Sequence, residues 1–507
     1  MKITLNHLFR GKLQLAVVLF CLSTIAACAE TPSWVRAITS RASGDACNGN
    51  RCDDIAYAVK IGPDGDQYVT GSFSGTLQFA GTTLVSAGGL DIFLAKFGRS
   101  GALRWIVQAG GAEDDSGLDL ALDRAGNIFL TGGFTDAATF GSTNGASRTV
   151  TGTGPTIFLA KYHPSGTLVW VQTGVAPFAQ QNNPTGLGVA VNAAAGTVYV
   201  TGFSQYDTTF SSADGTVNTV SGVGTWHMIL VKYDNSGNFQ WGETNAAEPN
   251  SIPYAVAVDA NDNAYVTGWL EDTTTFSSQD GNAITVTGFS PAQTSGDYPD
   301  DAFLVKYDRS GNVKWVNHLG GYKAVGSAVA VSRSGEVSIV GFVGNINFGS
   351  PSEAVTIATS QPPGTNISLG GGDITDPFNK DVFIASYDEE GVLLRAARKG
   401  SSRDEVATGA VYDPKGNLYV TGVFQGKTVQ QNVFVLKFSG GQLLWSRVAV
   451  NAGVWVGNNT VISPAISIDK GGRIFVTGAY QGTASFGGIK LHAVGAADIF
   501  LAELAPD

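Results

Sequence analysis

Residues 255–268 read AVAVDANDNAYVTG: Ala255-Val256-Ala257-Val258, then Asp259-Ala260-Asn261-Asp262-Asn263, then Ala264-Tyr265-Val266-Thr267-Gly268. A short apolar run, a turn rich in Asp and Asn, and a run of β-branched and aromatic residues mark two strands joined by a tight hairpin. The second run recurs as Tyr68-Val69-Thr70-Gly71, Phe129-Leu130-Thr131-Gly132, Tyr199-Val200-Thr201-Gly202, Tyr419-Val420-Thr421-Gly422 and Phe475-Val476-Thr477-Gly478. A worn copy stands at Ile339-Val340-Gly341. Counting the first quoted, there are seven, spaced by about 70 residues, and a fixed period of this kind means a repeat architecture.

A second phrase follows each copy: DIFLAKF (91–97), TIFLAKY (156–162), MILVKY (228–233), DAFLVKY (301–307), DVFIASY (381–387), NVFVLKF (432–438) and DIFLAEL (498–504). After the first six comes a glycine turn and then a strand that carries Trp105, Trp170, Trp241, Trp315 or Trp445, with Arg395 in the fifth copy. Each unit therefore reads as four short strands, in order A (AVAVD), B (YVTG), C (FLAKY) and D (the Trp strand). The expected fold class is all-β: a seven-bladed β-propeller with four antiparallel strands per blade. The seventh unit stops at Asp507 without its D strand, while Pro32-Ser33-Trp34-Val35-Arg36 looks like that strand. The ring is expected to close by the N-terminal strand completing the last blade, which removes free sheet edges.

Taken together, A-V-A-V-D, G-N, Y-V-T-G, F-L-A-K-Y, G and W in this order resemble the bacterial seven-bladed β-propeller repeat (SBBP) family, over residues 33–507. The resemblance implies an exported bacterial protein of the cell envelope, of a kind often found beside adhesive or enzymatic modules. It implies no single activity, so no catalytic residue is carried across. Unit five departs from the pattern, with Val340, Ser386 and Arg395 where Thr, Lys and Trp are usual.

Composition agrees with a turn-rich β protein. Charged residues are 14% of the 507 and glycine numbers 66, which excludes coiled coil and disorder as the main architecture. Net charge is −11, and losing Lys2, Arg10 and Lys12 with a leader makes it about −14. A field of that sign disfavours nucleic acid and anionic lipid surfaces.

Lys2, Arg10 and Lys12 precede an apolar run from Leu13 to Ala27, which reads as a signal peptide over residues 1–28. Two processing signals overlap at its end. Ile25-Ala26-Ala27-Cys28 fits a lipobox, with lipidation at Cys28, and Ala27-Cys28-Ala29 fits ordinary small-x-small cleavage. The lipoprotein reading is favoured, so the only expected membrane attachment is an N-terminal lipid anchor. Cys47 and Cys52 flank a Gly/Asn loop and are expected to form a local disulfide in an oxidising compartment.

Strand parity places the A–B and C–D turns at one end of the blades and the B–C and D–A connections at the other. The first set is short and uniform. In the second, the spacing from the motif Thr (or Val340) to the Lys position runs from 16 residues in unit six to 46 in unit five. Long variable connections on a rigid scaffold are where binding residues concentrate. Ligand contact is therefore expected at Tyr206, Trp226, Asp272, Asp297, Tyr298, Asp300 and Trp455, with the short-turn face blank. Aromatic faces beside carboxylates suit a carbohydrate or a protein ligand carrying positive charge. The competing reading is that these aromatics pack the loops' own small cores.

No cofactor is expected. Acidic clusters such as Glu113-Asp114-Asp115 can supply oxygens to Ca²⁺, yet Asp259–Asn263 lacks the Gly and the terminal Glu of a calcium loop and reads better as turn chemistry. Nucleophile-elbow, zinc-protease and phosphate-loop motifs are missing. The expected function is a monomeric exported binding or scaffold propeller. The alternative is a propeller hydrolase or lyase acting on an extracellular polysaccharide or peptide with carboxylates near the central channel.

Overall fold

The computed structural model describes residues 32–42, 54–177, 185–288, 300–320, 324–344, 355–359, 367–369, 380–400, 404–425, 431–453 and 463–507. These are all strands and turns, and every strand pair is antiparallel. In the first unit Ile55–Ile61, Gln67–Phe79, Thr82–Phe97 and Leu103–Gly110 pair in chain order. The same succession of rungs appears in the later repeats, for example Glu405–Tyr412, Leu418–Gln425, Gln431–Ser439 and Gln442–Gly453.

The repeated Thr-Gly is explained by a bulge in the strand before it. The register of that strand skips one residue at Tyr57, Leu118, Leu187, Tyr254, Ser327 and Thr408. The bulged backbone presses on the facing glycine: a Cβ on Gly71 would lie 1.8 Å from the Ile55 carbonyl oxygen, and on Gly132 1.8 Å from that of Ser116. No other residue fits there. The neighbouring Thr hydroxyl is fully buried and donates to a carbonyl of the next strand. Thr70 donates to Phe93 at 2.7 Å, Thr267 to Phe303 at 2.6 Å and Thr477 to Phe500 at 2.6 Å. Each such bond contributes about 1 kcal/mol.

Units are joined through the D-strand tryptophans. Trp105 Nε1 donates to the Pro164 carbonyl of the following unit at 3.2 Å, Trp241 to Arg309 at 3.2 Å and Trp315 to Glu389 at 3.1 Å. The indole also covers the turn glycine next door, so a Cβ on Gly391 would sit 2.7 Å from the Trp315 ring. The motif Lys packs beneath, its ammonium 5.0–5.4 Å from the ring of Tyr68, Phe129, Tyr199, Tyr265 or Tyr419. In unit five Arg395 takes both places. It pairs with Glu336, its stem lies over Gly441, and Ser386 bonds Ser338 at 2.6 Å.

Among the described residues the long B–C connections form hairpins. Gln67–Phe79 and Thr82–Phe97 continue past the unit as a hairpin, and in other units separate hairpins form, such as Thr208–Ser211 with Val217–Val220 and Thr273–Phe276 with Ile284–Thr287. Each hairpin pairs with the outer strand of the unit before it: Phe210 faces Gly174, Phe276 faces Asn245, and Thr359 faces Asn317. A repeated Phe (Phe79, Phe140, Phe210, Phe276, Phe486) is buried beneath. Turns such as Asp214-Gly215 and Asp280-Gly281, with glycine φ of 82° and 78°, close the hairpins as Asp-Gly pairs do. The expectation of four strands per blade thus missed two further strands that staple neighbouring units.

The first described strand, Trp34–Thr39, lies against the last, Asp498–Leu504, with Ala37 opposite Ala502 and Thr39 opposite Phe500. Arg36 forms an ion pair with Glu503, and Trp34 packs edge-on against Phe486 at 5.2 Å. This is the placement expected of the N-terminal tryptophan segment.

Candidate functional site

Residues from the innermost strands of seven repeats border one cavity of about 130 Å³. The bulges bring Tyr57, Leu118, Leu187, Tyr254, Ser327 and Thr408 to its wall, with Lys60, Asp119 and Ile466 beside them. Asp119 is held in place. Its carboxylate accepts from the backbone N–H of Val189 at 3.0 Å and of Leu120 at 2.8 Å. Burial pushes this carboxyl above its ordinary range, while the Lys60 charge pulls the other way. Among the described residues, Asp119 is the single carboxylate of the lining. A cavity of this size holds a few waters, whereas small-molecule ligands occupy roughly 300–1,000 Å³. Sequence reading placed nothing at Asp119, because which residue of an inner strand faces the axis depends on the bulge.

A second cavity, of about 640 Å³, is lined by the A–B turns of six repeats. The turns share one geometry. Asp123 accepts from the N–H groups of Ala125 and Asn127 with one oxygen and from Asn127 Nδ2 with the other, at 2.9, 2.9 and 2.7 Å. Asp413 does the same for Lys415 and Asn417, and Asp469 for Gly471 and Arg473. Asp259 is spent likewise on Asn261 and Asn263, in keeping with turn chemistry. The residue directly after the capping position faces the cavity: Pro63, Arg124, Ala193, Arg333, Pro414 and Lys470. Arg124, Arg333 and Lys470 are exposed.

Among the described residues, the expected ligand residues Tyr206 and Trp226 belong to unit three and Asp272 and Asp300 to unit four. Tyr206 is 46% exposed, and its carbonyl accepts from Ser204 and Thr208 hydroxyls at the foot of the third-unit hairpin. Trp226 packs on Phe203 at 6.1 Å. Asp272 is exposed at the foot of the next hairpin with φ of 46°, the same hinge position as Gly75 and Asp136, each with φ of 61°. Asp and Gly tolerate that conformation best, which gives Asp272 a turn role. Asp300 pairs with Glu271 at the start of Asp300–Tyr307. Asp297, Tyr298, Trp455, Cys28, Cys47 and Cys52 lie outside the described residues.

Buried titratable groups stand elsewhere on the B–C side, Asp115 and His227 among them. Asp115, at the start of the second unit, is 1% exposed and burial raises its carboxyl to about 7, against hydrogen bonds from Gly111 and Thr135 N–H. Burial lowers His227 to about 4. Both are sealed from solvent, and neither faces the channel.

Among the described residues one outer strand has no hairpin at its end. Leu393–Lys399 of unit five pairs with Lys380–Tyr387, and among the described residues nothing pairs with its other edge. The reason is length: Gln425 and Gln431 of unit six face each other as the last rung, leaving five residues between them, too few for a hairpin that reaches the neighbour. Val392 and Leu394 beside this edge are 50% and 48% exposed. The short connection was visible in the sequence, but its consequence for a different unit was not.

No protein-family model matches the chain. A 204-residue segment is 28% identical to an uncharacterized WD repeat-containing protein of Acanthamoeba polyphaga mimivirus, covering 35% of this chain and 14% of that protein. The chain thus spans about one seventh of its relative's length. Among solved structures, the Dos1 propeller covers 93% of this chain and 94% of its own at 9% identity and a TM-score of 0.36. A catalytically inactive virginiamycin B lyase from Staphylococcus aureus with quinupristin covers 72% and 99% at 9% identity and a TM-score of 0.26. The chain is all-β and built of repeats whose antiparallel strands pair in chain order.

Proposed function

We propose that this chain is a protein-binding scaffold, built as a closed seven-bladed β-propeller of the bacterial SBBP type. The uncovered end of Leu393–Lys399 carries this reading. A free edge of backbone N–H and C=O groups is a template for an added strand, and the other outer strands take a hairpin at their last rungs, as Gly174, Asn245, Asn317 and Val450 illustrate. Lining of one channel by inner strands of seven repeats supports the blade count. The leader features support export, with lipidation at Cys28 and a Cys47–Cys52 disulfide as its accompaniments. Tyr206 and Trp226 remain the proposed ligand contacts on the hairpin side. The hydrolase or lyase alternative draws support only from Asp119, whose cavity is small.

A photo-crosslinking residue at position 399 is expected to capture a protein partner in the native host, whereas one at Val450, exposed on a rung that a hairpin covers, is not. Grafting residues 272–288, a complete hairpin, in place of 426–430 should cover the edge and abolish capture. Equal capture at both positions, or capture untouched by the graft, contradicts the reading.

A further inference from the structure

We propose that the cavity on the short-turn face is a binding site for a small polyanion carrying two or more carboxylate or phosphate groups. This goes beyond the scaffold reading and does not depend on it. Three cations, Arg124, Arg333 and Lys470, come from turns of three different units and border one cavity of about 640 Å³. That volume falls in the usual range for small-molecule sites.

Position in the turn explains why they converge. Each follows directly on the residue that caps its turn, Asp123, Ser332 or Asp469, so each occupies the corner nearest the axis. The caps fix the backbone: Asp123 and Asp469 as above, and Ser332 through Oγ, which accepts from the Glu336 N–H at 3.0 Å. Three flexible side chains are therefore carried on rigid bases around one opening.

Donors are free at this cavity and acceptors are not. Among the described residues neither Arg124, Arg333 nor Lys470 forms an ion pair with a carboxylate. The three carboxylates of the same lining, Asp123, Asp413 and Asp469, turn their oxygens into backbone N–H groups and the side chains of Asn127, Asn417 and Arg473. Guanidinium groups meet carboxylate and phosphate oxygens with paired N–H donors, and an ammonium adds a point charge. A ligand bearing several oxyanions satisfies all three cations at once. A neutral or cationic ligand leaves them unpaired.

Calorimetric titration of the full chain with citrate, and separately with pyrophosphate, tests the site and distinguishes carboxylate from phosphate ligands. Saturable binding of at least one probe is expected, weakening as NaCl is raised. In a triple Arg124→Ala, Arg333→Ala, Lys470→Ala variant it should weaken by about tenfold or more. All three positions are exposed turn corners, so the variant should keep the thermal midpoint of the parent. An Arg148→Ala, Lys490→Ala variant, altered on the hairpins, should bind as the parent does. The proposal is overturned if neither probe binds, or if the triple variant binds as tightly as the parent.

Discussion

Gly71→Ala is expected to destabilise the protein by more than about 3 kcal/mol, a cost reserved for a few mechanisms such as forced displacement of packed backbone. The new Cβ would stand 1.8 Å from the Ile55 carbonyl oxygen and 2.8 Å from Ala56 Cα. Neither obstacle is the end of a flexible side chain. Relief requires the inner strand to move away, and with it the bulge that sets Tyr57 against the channel. Gly75→Ala is the control. That glycine has φ of 61° and open space around its absent Cβ, so only backbone strain of about 1–2 kcal/mol applies. Urea denaturation of both variants checks the pair. Similar costs for the two would mean that the bulge does not press on the motif glycine.

Removing residues 32–40 is expected to abolish cooperative folding, a loss of about 5 kcal/mol or more and so comparable with the whole stability of a domain. The strand supplies the outer rungs of Asp498–Leu504. It also ties two ends of the chain. Thr39 Oγ1 and Tyr480 OH are 2.8 Å apart, Ser40 Oγ accepts from Ile499 N–H at 2.9 Å, and Arg36 Nη1 donates to the Arg99 carbonyl in unit one at 2.9 Å. Without it, Phe500 and Leu501, now 0% and 4% exposed, lie beside an open edge that invites aggregation. A synthetic peptide spanning Pro32–Ala42, added during refolding, should restore the sharp transition. A truncated chain that unfolds at the parent's urea concentration would refute the expectation.

Much of the repeat could be read directly. Local signals do this well: Asp123 with Asn127 writes a turn within five residues, and Lys96 opposite Trp105 follows from a hairpin of fixed length. The tryptophans at Trp105, Trp241 and Trp315 fall at unit junctions as their spacing suggested. Relations between units were harder to read. The Thr-x-Phe and Asp-Gly signals of Thr208–Phe210 and Asp214-Gly215 were present, yet the strand they pair with, Leu168–Val175, belongs to the previous repeat. Variable length therefore suggested an exposed wall where the structure has stapled hairpins.

The site was less legible for a related reason. Facing the axis is decided by a one-residue bulge, and a shift of one residue reverses every side chain of a strand. Asp119 and Leu118 cannot be sorted without it. Arg124, Arg333 and Lys470 each sit beside an obvious turn, but their convergence exists only once six units are arranged around one opening. Sequence spacing made that face look blank. Tyr206 and Trp226 drew attention as unpatterned aromatics, and Trp226 is in fact half-buried on Phe203.

The account stands on the first strand lying beside the last, and an Ala37→Cys, Ala502→Cys variant measures that most directly. These residues face each other across the final pair of strands. Under mild oxidation of the folded monomer, an intramolecular disulfide between the two positions is predicted, identified by mass spectrometry of the linked peptides. Failure to link within one chain, with thiols left free or joined only between molecules, would contradict the closed arrangement.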